Sequence, residues 1–137
     1  MHATTPNDPV LFVRIGGRER IKDLLTKFYA LAGEDPVVGP IFNATIHDWS
    51  HHIEHVTDFW STQTGGPALY PGGMGRHIRL GLEAEHFTAW LLLWEKNCRA
   101  ELAPREADDM VAIAKIFASR LREMTGGNVV RLRPPHA

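Results

Sequence analysis

Apolar residues recur every three or four positions along most of this chain, and no segment alternates with period two. Ile21, Leu24, Leu25, Phe28 and Ala32 share one face, with Arg18, Lys22, Asp23 and Lys27 between them. That pattern predicts a helix, with Tyr29 at the edge of its apolar stripe and Gly33 and Pro36 as its end. Before it, residues 10–16, VLFVRIG, start a short apolar element closed by Gly16 and Gly17. Residues 1–9 are polar with two prolines and read as a loose leader. Residues 35–42, DPVVGPIF, read as one short helical turn and a corner ending in Phe42, followed by a connector over 43–47.

A second long helix is expected over about residues 48–62, capped by Asp48. Its stripe is Trp49, Ile53, Val56 and Trp60, with Phe59 beside it. A glycine-rich stretch, GGPALYPGGMGRHIRL over 65–80, then suspends the helical pattern for about a dozen residues, long enough to suggest a functional loop. Periodicity resumes over 83–102, where Phe87, Trp90, Leu91, Trp94 and Cys98 form one continuous face. Pro104 ends that helix and starts the last one, whose buried face is Met110, Ile113, Ala114, Phe117, Leu121 and Met124. Gly126 and Gly127 stop it, leaving 126–137 as a mobile tail. The expected architecture is all-α: four main helices in a single domain over 1–137, without internal repeats.

Composition narrows the functional classes. Formal net charge is −1, without the clustered basic charge that nucleic acid or an anionic membrane would require. One cysteine, Cys98, forbids an intrachain disulfide and fits a reducing compartment. Neither a signal-peptide pattern nor an apolar run approaching the roughly 20 residues of a membrane helix is present. Cytoplasm is the simplest location, with no nucleic-acid partner and no membrane span. The unusual count is eight histidines, five of which (His47, His51, His52, His55 and His77) lie within one third of the chain.

Those histidines carry the candidate chemistry. His47, His51 and His55 fall on one stripe opposite the apolar face, which reads as a solvated polar face. Residues 51–55, HHIEH, match the H-x-x-E-H pattern of zinc peptidases. A non-haem zinc or di-iron helical-bundle enzyme using His51, Glu54 and His55 is therefore the alternative reading. It lacks an evident third ligand and a substrate groove. His52 lies about 50° from the centre of the apolar stripe, so it must find a hydrogen-bond partner or face a cavity. Tyr29 and Trp90 likewise place a polar tip at a core position on two other helices, although each is also explained by packing alone. His77 follows the glycine-rich loop, where backbone can approach a bulky group. One arrangement covers all four: they surround a polar centre within an apolar pocket. Haem iron fits, with one histidine as axial ligand and distal donors governing a diatomic ligand. Arg76 is placed to pair with a propionate.

At these residues the chain resembles a truncated haemoglobin, the two-over-two helical globins, over about residues 14–124. The carriers are IGG at 15–17, FY at 28–29, DPVVGPIF at 35–42, DWSHHIEHVTDFW at 48–60, GGPALY at 65–70, RH at 76–77 and HFTAWL at 86–91. GPIF, DW-x-x-H and DFW resemble group III, and IGG and GGPALY resemble group II. The resemblance implies a two-over-two sandwich around haem b, with His77 as the proximal iron ligand. It implies distal ligand-binding roles for Tyr29, His52, Val56 and Trp90, and haem contacts from Phe42, Ile53, Tyr70, Met74, Arg76 and Phe87. It further implies reversible binding of O2, CO or NO at a five-coordinate iron, with NO-detoxifying or peroxidase-like activity in some members and a reductase as partner.

Overall fold

The structure, a computed structural model, describes residues 9–67 and 84–125, with side chains through Glu123. Six helices occupy these residues: α1 Leu11–Ile15, α2 Arg18–Glu34, α3 Gly39–Thr45, α4 Trp49–Gln63, α5 Ala84–Glu101 and α6 Pro104–Thr125. No strand occurs among the described residues. The corner between α1 and α2 rests on Gly16 and Gly17, at φ 122° and 86°, where a side chain would be strained. There the Gly17 N–H donates to the Phe12 carbonyl at 2.9 Å, closing α1.

Two antiparallel pairs make the sandwich. Along α2 and α4, Arg18 meets Asp58 at 2.6 Å and Tyr29 meets His52 at 3.1 Å, so the two helices run in opposite directions. Along α5 and α6, Trp94 Nε1 donates to the Met110 carbonyl at 3.2 Å while Trp90 faces Phe117, the same reversal. The layers meet on aromatic rings. Trp94 is fully buried, stacked on Trp60 at 4.7 Å and edge-on to Phe28 at 5.1 Å. Burying such a ring removes about 200 Å² from water, worth on the order of 5 kcal/mol before entropy is counted. Asn97 Nδ2 donates to the Leu24 carbonyl at 3.0 Å, fastening α5 to α2 with its buried amide satisfied.

The α2 stripe is buried as its spacing predicts: Ile21, Leu24, Leu25, Phe28 and Ala32 are at most 1% exposed, and Tyr29 at its edge is 7% exposed. On α6, Met110, Ala114, Phe117 and Leu121 are buried and Ile113 is partly so. Two expectations need correction. The connector expected over 43–47 is helical as far as Thr45, because α3 begins at Gly39, takes Pro40 in its first turn and continues. Asn43 reaches across to the Gly33 carbonyl at 3.0 Å instead of competing for its own backbone. On α4, Trp49, Ile53 and Val56 are only half-buried, whereas Thr57 and Ser61 are completely buried with Trp60. Thr57 Oγ1 donates to the Ile53 carbonyl at 2.7 Å, so its polar atom is satisfied within its own helix. The α4 face against the core is thus rotated from the apolar stripe, and part of that stripe is left to line open space.

Ion pairs tie the ends. Arg14 of α1, with a side chain 12% exposed, donates to Glu106 at 2.8 Å and Asp109 at 2.9 Å on α6. Hydrogen bonding to Asp109 first and to Glu106 next raises the guanidinium pKa against the opposing effect of burial. The end of α4 is tied to α1 as well. Phe12 N–H donates to the Thr64 carbonyl at 2.8 Å, and a Cβ on Gly66 would lie 2.5 Å from the Phe12 ring. The chain therefore enters the glycine-rich stretch from a fixed point.

Candidate functional site

Between the sandwich layers lie two adjoining cavities. One, about 330 Å³ including the part open to solvent, lies between the α3 region and the α5–α6 pair, walled by Val38, Phe42, Phe87, Trp90, Phe117 and Leu121, with His86 among its lining. The other, about 360 Å³, lies between α2, α4 and α5 and includes Tyr29, Val56, Phe59 and Trp90. Trp90 and Phe117 line both, so the two cavities share a wall.

Polar groups gather at one corner, where Tyr29 lines the second cavity. Asp48 caps α4, its Oδ1 accepting from the His51 N–H at 3.1 Å, and so sets where His52 begins its turn. His52 Nε2 then lies 3.1 Å from the Tyr29 hydroxyl, with the two rings edge-on at 5.1 Å. Trp49 packs edge-on against both, at 5.5 Å from Tyr29 and 6.1 Å from His52. Phe28 and Phe42 flank Tyr29 at 5.1 and 5.9 Å. Trp90 is half-buried and lies parallel to Trp94, centroids 6.1 Å apart and planes 3° apart. Among the described residues, no hydrogen-bond partner engages its indole N–H, in contrast to that of Trp94.

The structure thus brings Tyr29, Val56, Trp90, Phe42 and Phe87 to the walls of two adjoining cavities and sets His52 against Tyr29. Ile53 is half-buried one residue beyond His52 and packs against the main core. His77, Tyr70, Met74 and Arg76 lie outside the described residues. Three contributors were not singled out as site residues from the sequence. Trp49 was placed only in a stripe, Phe117 only in a core face, and His86 received no role. The signal for His86 was its position four residues before Trp90, on the same face of α5.

The residues of the H-x-x-E-H match diverge. His51 and His55 lie side by side on the outer surface of α4, whereas Glu54 turns to α2. Its carboxylate binds Lys22 and, at 2.9 Å, Arg18. Lys22 first, then Arg18, holds its pKa below the usual glutamate range. Among the described residues, no three potential ligands converge on a metal position.

The described part of the site suits haem. A flat, largely apolar macrocycle needs apolar walls on both faces, and Phe42, Phe87, Val56 and Phe117 are such walls. Tyr29 and Trp90 in the lining, with His52 on the Tyr29 hydroxyl, offer a phenol, an indole and an imidazole, hydrogen-bonding groups suited to a small polar ligand.

Comparison with known proteins points the same way. The sequence model of the family described as bacterial-like globin matches residues 10–121. The chain is 27% identical over 113 residues to the group 3 truncated hemoglobin ctb of Campylobacter jejuni, covering 78% of this chain and 89% of that protein. The crystal structure of a group III truncated hemoglobin from Campylobacter jejuni superposes with a TM-score of 0.73 at 28% identity, covering 82% of this chain and 95% of the other. The group II truncated hemoglobin from Bacillus anthracis shares the fold with a TM-score of 0.74 at 22% identity, covering 84% and 92%. With two antiparallel helix pairs around apolar cavities and this match along most of its length, the chain belongs to the bacterial-like globin family and has the truncated-globin fold.

Proposed function

We propose that the chain, as one domain over 1–137, holds haem b through His77 and binds O2, CO or NO reversibly beside Tyr29, His52 and Trp90. The observation that carries this reading is the 3.1 Å bond between Tyr29 and His52 at the corner of the apolar space that Trp90 lines. Haem, when bound, would supply an iron able to take a diatomic ligand. The chain's own groups then govern that ligand. With the proton on Nε2, His52 donates to the Tyr29 oxygen, and the phenol proton serves as a donor toward the ligand. With the other tautomer Tyr29 donates to His52 instead, and the ligand loses that donor. Trp90 offers a second donor from α5, and Val56 excludes water from the same face. Phe42, Ile53 and Phe87, with Tyr70 and Met74, make the apolar contacts, and Arg76 pairs with a propionate. NO detoxification or peroxidase-like turnover, fed by a reductase in the cytoplasm, is the redox extension of this reading.

Reconstitution tests it. Purified chain supplied with hemin should acquire the intense haem band, five-coordinate in the reduced form and shifted by CO. The His77→Ala variant should lose the pigment or hold it loosely. A chain that stays colourless, or a variant that keeps its pigment equally tightly, overturns the proposal. Each distal hydrogen bond removed, in Tyr29→Phe, His52→Leu or Trp90→Phe, should speed O2 release about 2- to 12-fold, the equivalent of ~0.5–1.5 kcal/mol. Unchanged release in all three overturns the distal assignment.

A further inference from the structure

His51 and His55, on the outer face of α4, line neither cavity, yet they are arranged for chemistry of their own. His51 and His55 stand one helical turn apart, with Nε2 atoms 2.9 Å from each other and ring centroids at 4.3 Å. His51 is exposed and His55 partly so. Glu54, the acidic residue between them, is drawn to Lys22 and Arg18 on α2, so the pair presents nitrogen without a neighbouring carboxylate from its own turn. From these positions we propose that His51 and His55 form a two-imidazole site for a tetragonal divalent transition-metal ion, Cu²⁺ or Ni²⁺, on the surface of α4.

The separation of the nitrogens sets the preference. Metal–imidazole bonds are about 2.0–2.1 Å long. Two such bonds at a right angle place their nitrogens about 2.9 Å apart, whereas a tetrahedral angle demands about 3.3 Å. The observed separation, held by a hydrogen bond between the rings, is also that of two ligands at the right angle of square-planar and octahedral ions. Nitrogen sites of that geometry favour Cu²⁺ and Ni²⁺, and the Irving–Williams order places Cu²⁺ above Zn²⁺. Among the described residues no group of three potential ligands gathers there, so the proposed site takes solvent at its remaining positions. Binding needs each imidazole neutral with its proton on Nδ1; the proton shared between the two Nε2 atoms moves to an Nδ1 through solvent, and no net redox change occurs.

The test uses the haem-loaded ferric protein and NiCl2 or ZnCl2 alone, followed by titration calorimetry. Ni²⁺ should bind more tightly than Zn²⁺, and both His51→Gln and His55→Gln should weaken Ni²⁺ by about 100-fold or more, at least what loss of an outer-shell partner costs elsewhere. His47→Gln should leave Ni²⁺ affinity unchanged, and the haem band of every variant should match the parent, which separates this site from the haem pocket. Nickel affinity unchanged in either of the first two variants overturns the proposal, as does weakening in His47→Gln or tighter binding of Zn²⁺ than of Ni²⁺.

Discussion

Trp94 and Trp90 lie one turn apart on α5, parallel and stacked, yet they belong to different physical regimes. Trp94 is fully enclosed, with its N–H on the Met110 carbonyl and rings of Trp60 and Phe28 against it. Trp90 lines both cavities, and among the described residues its N–H is not engaged. On the same helix as Trp94, the buried Asn97 amide is likewise settled internally, by the Leu24 carbonyl. Around Trp90 the apolar wall stops short of closing. The same residue type at the same helical spacing is a keystone in one place and a candidate donor in the other. What separates them is how completely the opposite layer covers the ring.

Substitutions at the two positions should therefore act on different observables. Trp94→Ala should cost about 3–5 kcal/mol of unfolding free energy, measured by denaturant titration of the haem-loaded protein. That is a large share of the ~5–15 kcal/mol typical of a domain. Trp90→Phe, which keeps an aromatic ring at the cavity, should cost less than about 1.5 kcal/mol while carrying the ligand-release effect. A stability loss at Trp90 equal to that at Trp94 would erase the distinction between the two.

The dry side of the comparison makes a chemical prediction as well. Cys98 is fully buried, and burial pushes its thiol pKa up to about 12. A raised pKa means the folded state keeps its proton after the unfolded chain has lost it. The contribution is whole below the ordinary value of 9.0 and drains away as pH climbs toward about 12. At neutral pH a thiol reagent should modify Cys98 only at the rate of opening, and rapid modification of folded protein would show that this region is not closed.

The smallest effect is expected at the exposed seam between α2 and α4. Glu54 has a lowered pKa caused by Lys22 and then Arg18. Its stabilising contribution is present above the ordinary carboxylate pKa and lost as pH falls through the lower folded value. Glu54→Gln should slightly flatten the acid limb of a stability–pH profile, and added salt should shrink the difference. An effect rivalling that of Trp94→Ala would mean this seam, rather than the aromatic stack, holds the layers together.

Much of this was legible along the chain. The α2 and α5 stripes, the Asp48 cap and the Pro104 start are local properties, because helical spacing and capping depend on residues within one turn. The meeting of Tyr29 and His52 was foreseen only as a demand for partners, each polar tip standing at the edge of an apolar stripe. Which partner satisfied which was a matter of how α2 and α4 cross. The misread face of α4 shows the limit most plainly. Thr57 and Ser61 look like surface residues, and only packing against the other layer made their burial possible, with Thr57 returning its hydroxyl to the Ile53 carbonyl.

By itself the order of amino acids determined that this protein is helical, that its histidines cluster, and that three helices each carry a polar tip into apolar surroundings. The tertiary structure alone decided that Glu54 leaves its histidine neighbours for α2, that Trp90 borders both cavities whereas Trp94 borders one and is closed to solvent, and that Trp49 and Phe117 join the site. Those outcomes depend on crossing and coverage between residues dozens of positions apart, and periodicity within a helix carries no record of what lies opposite it.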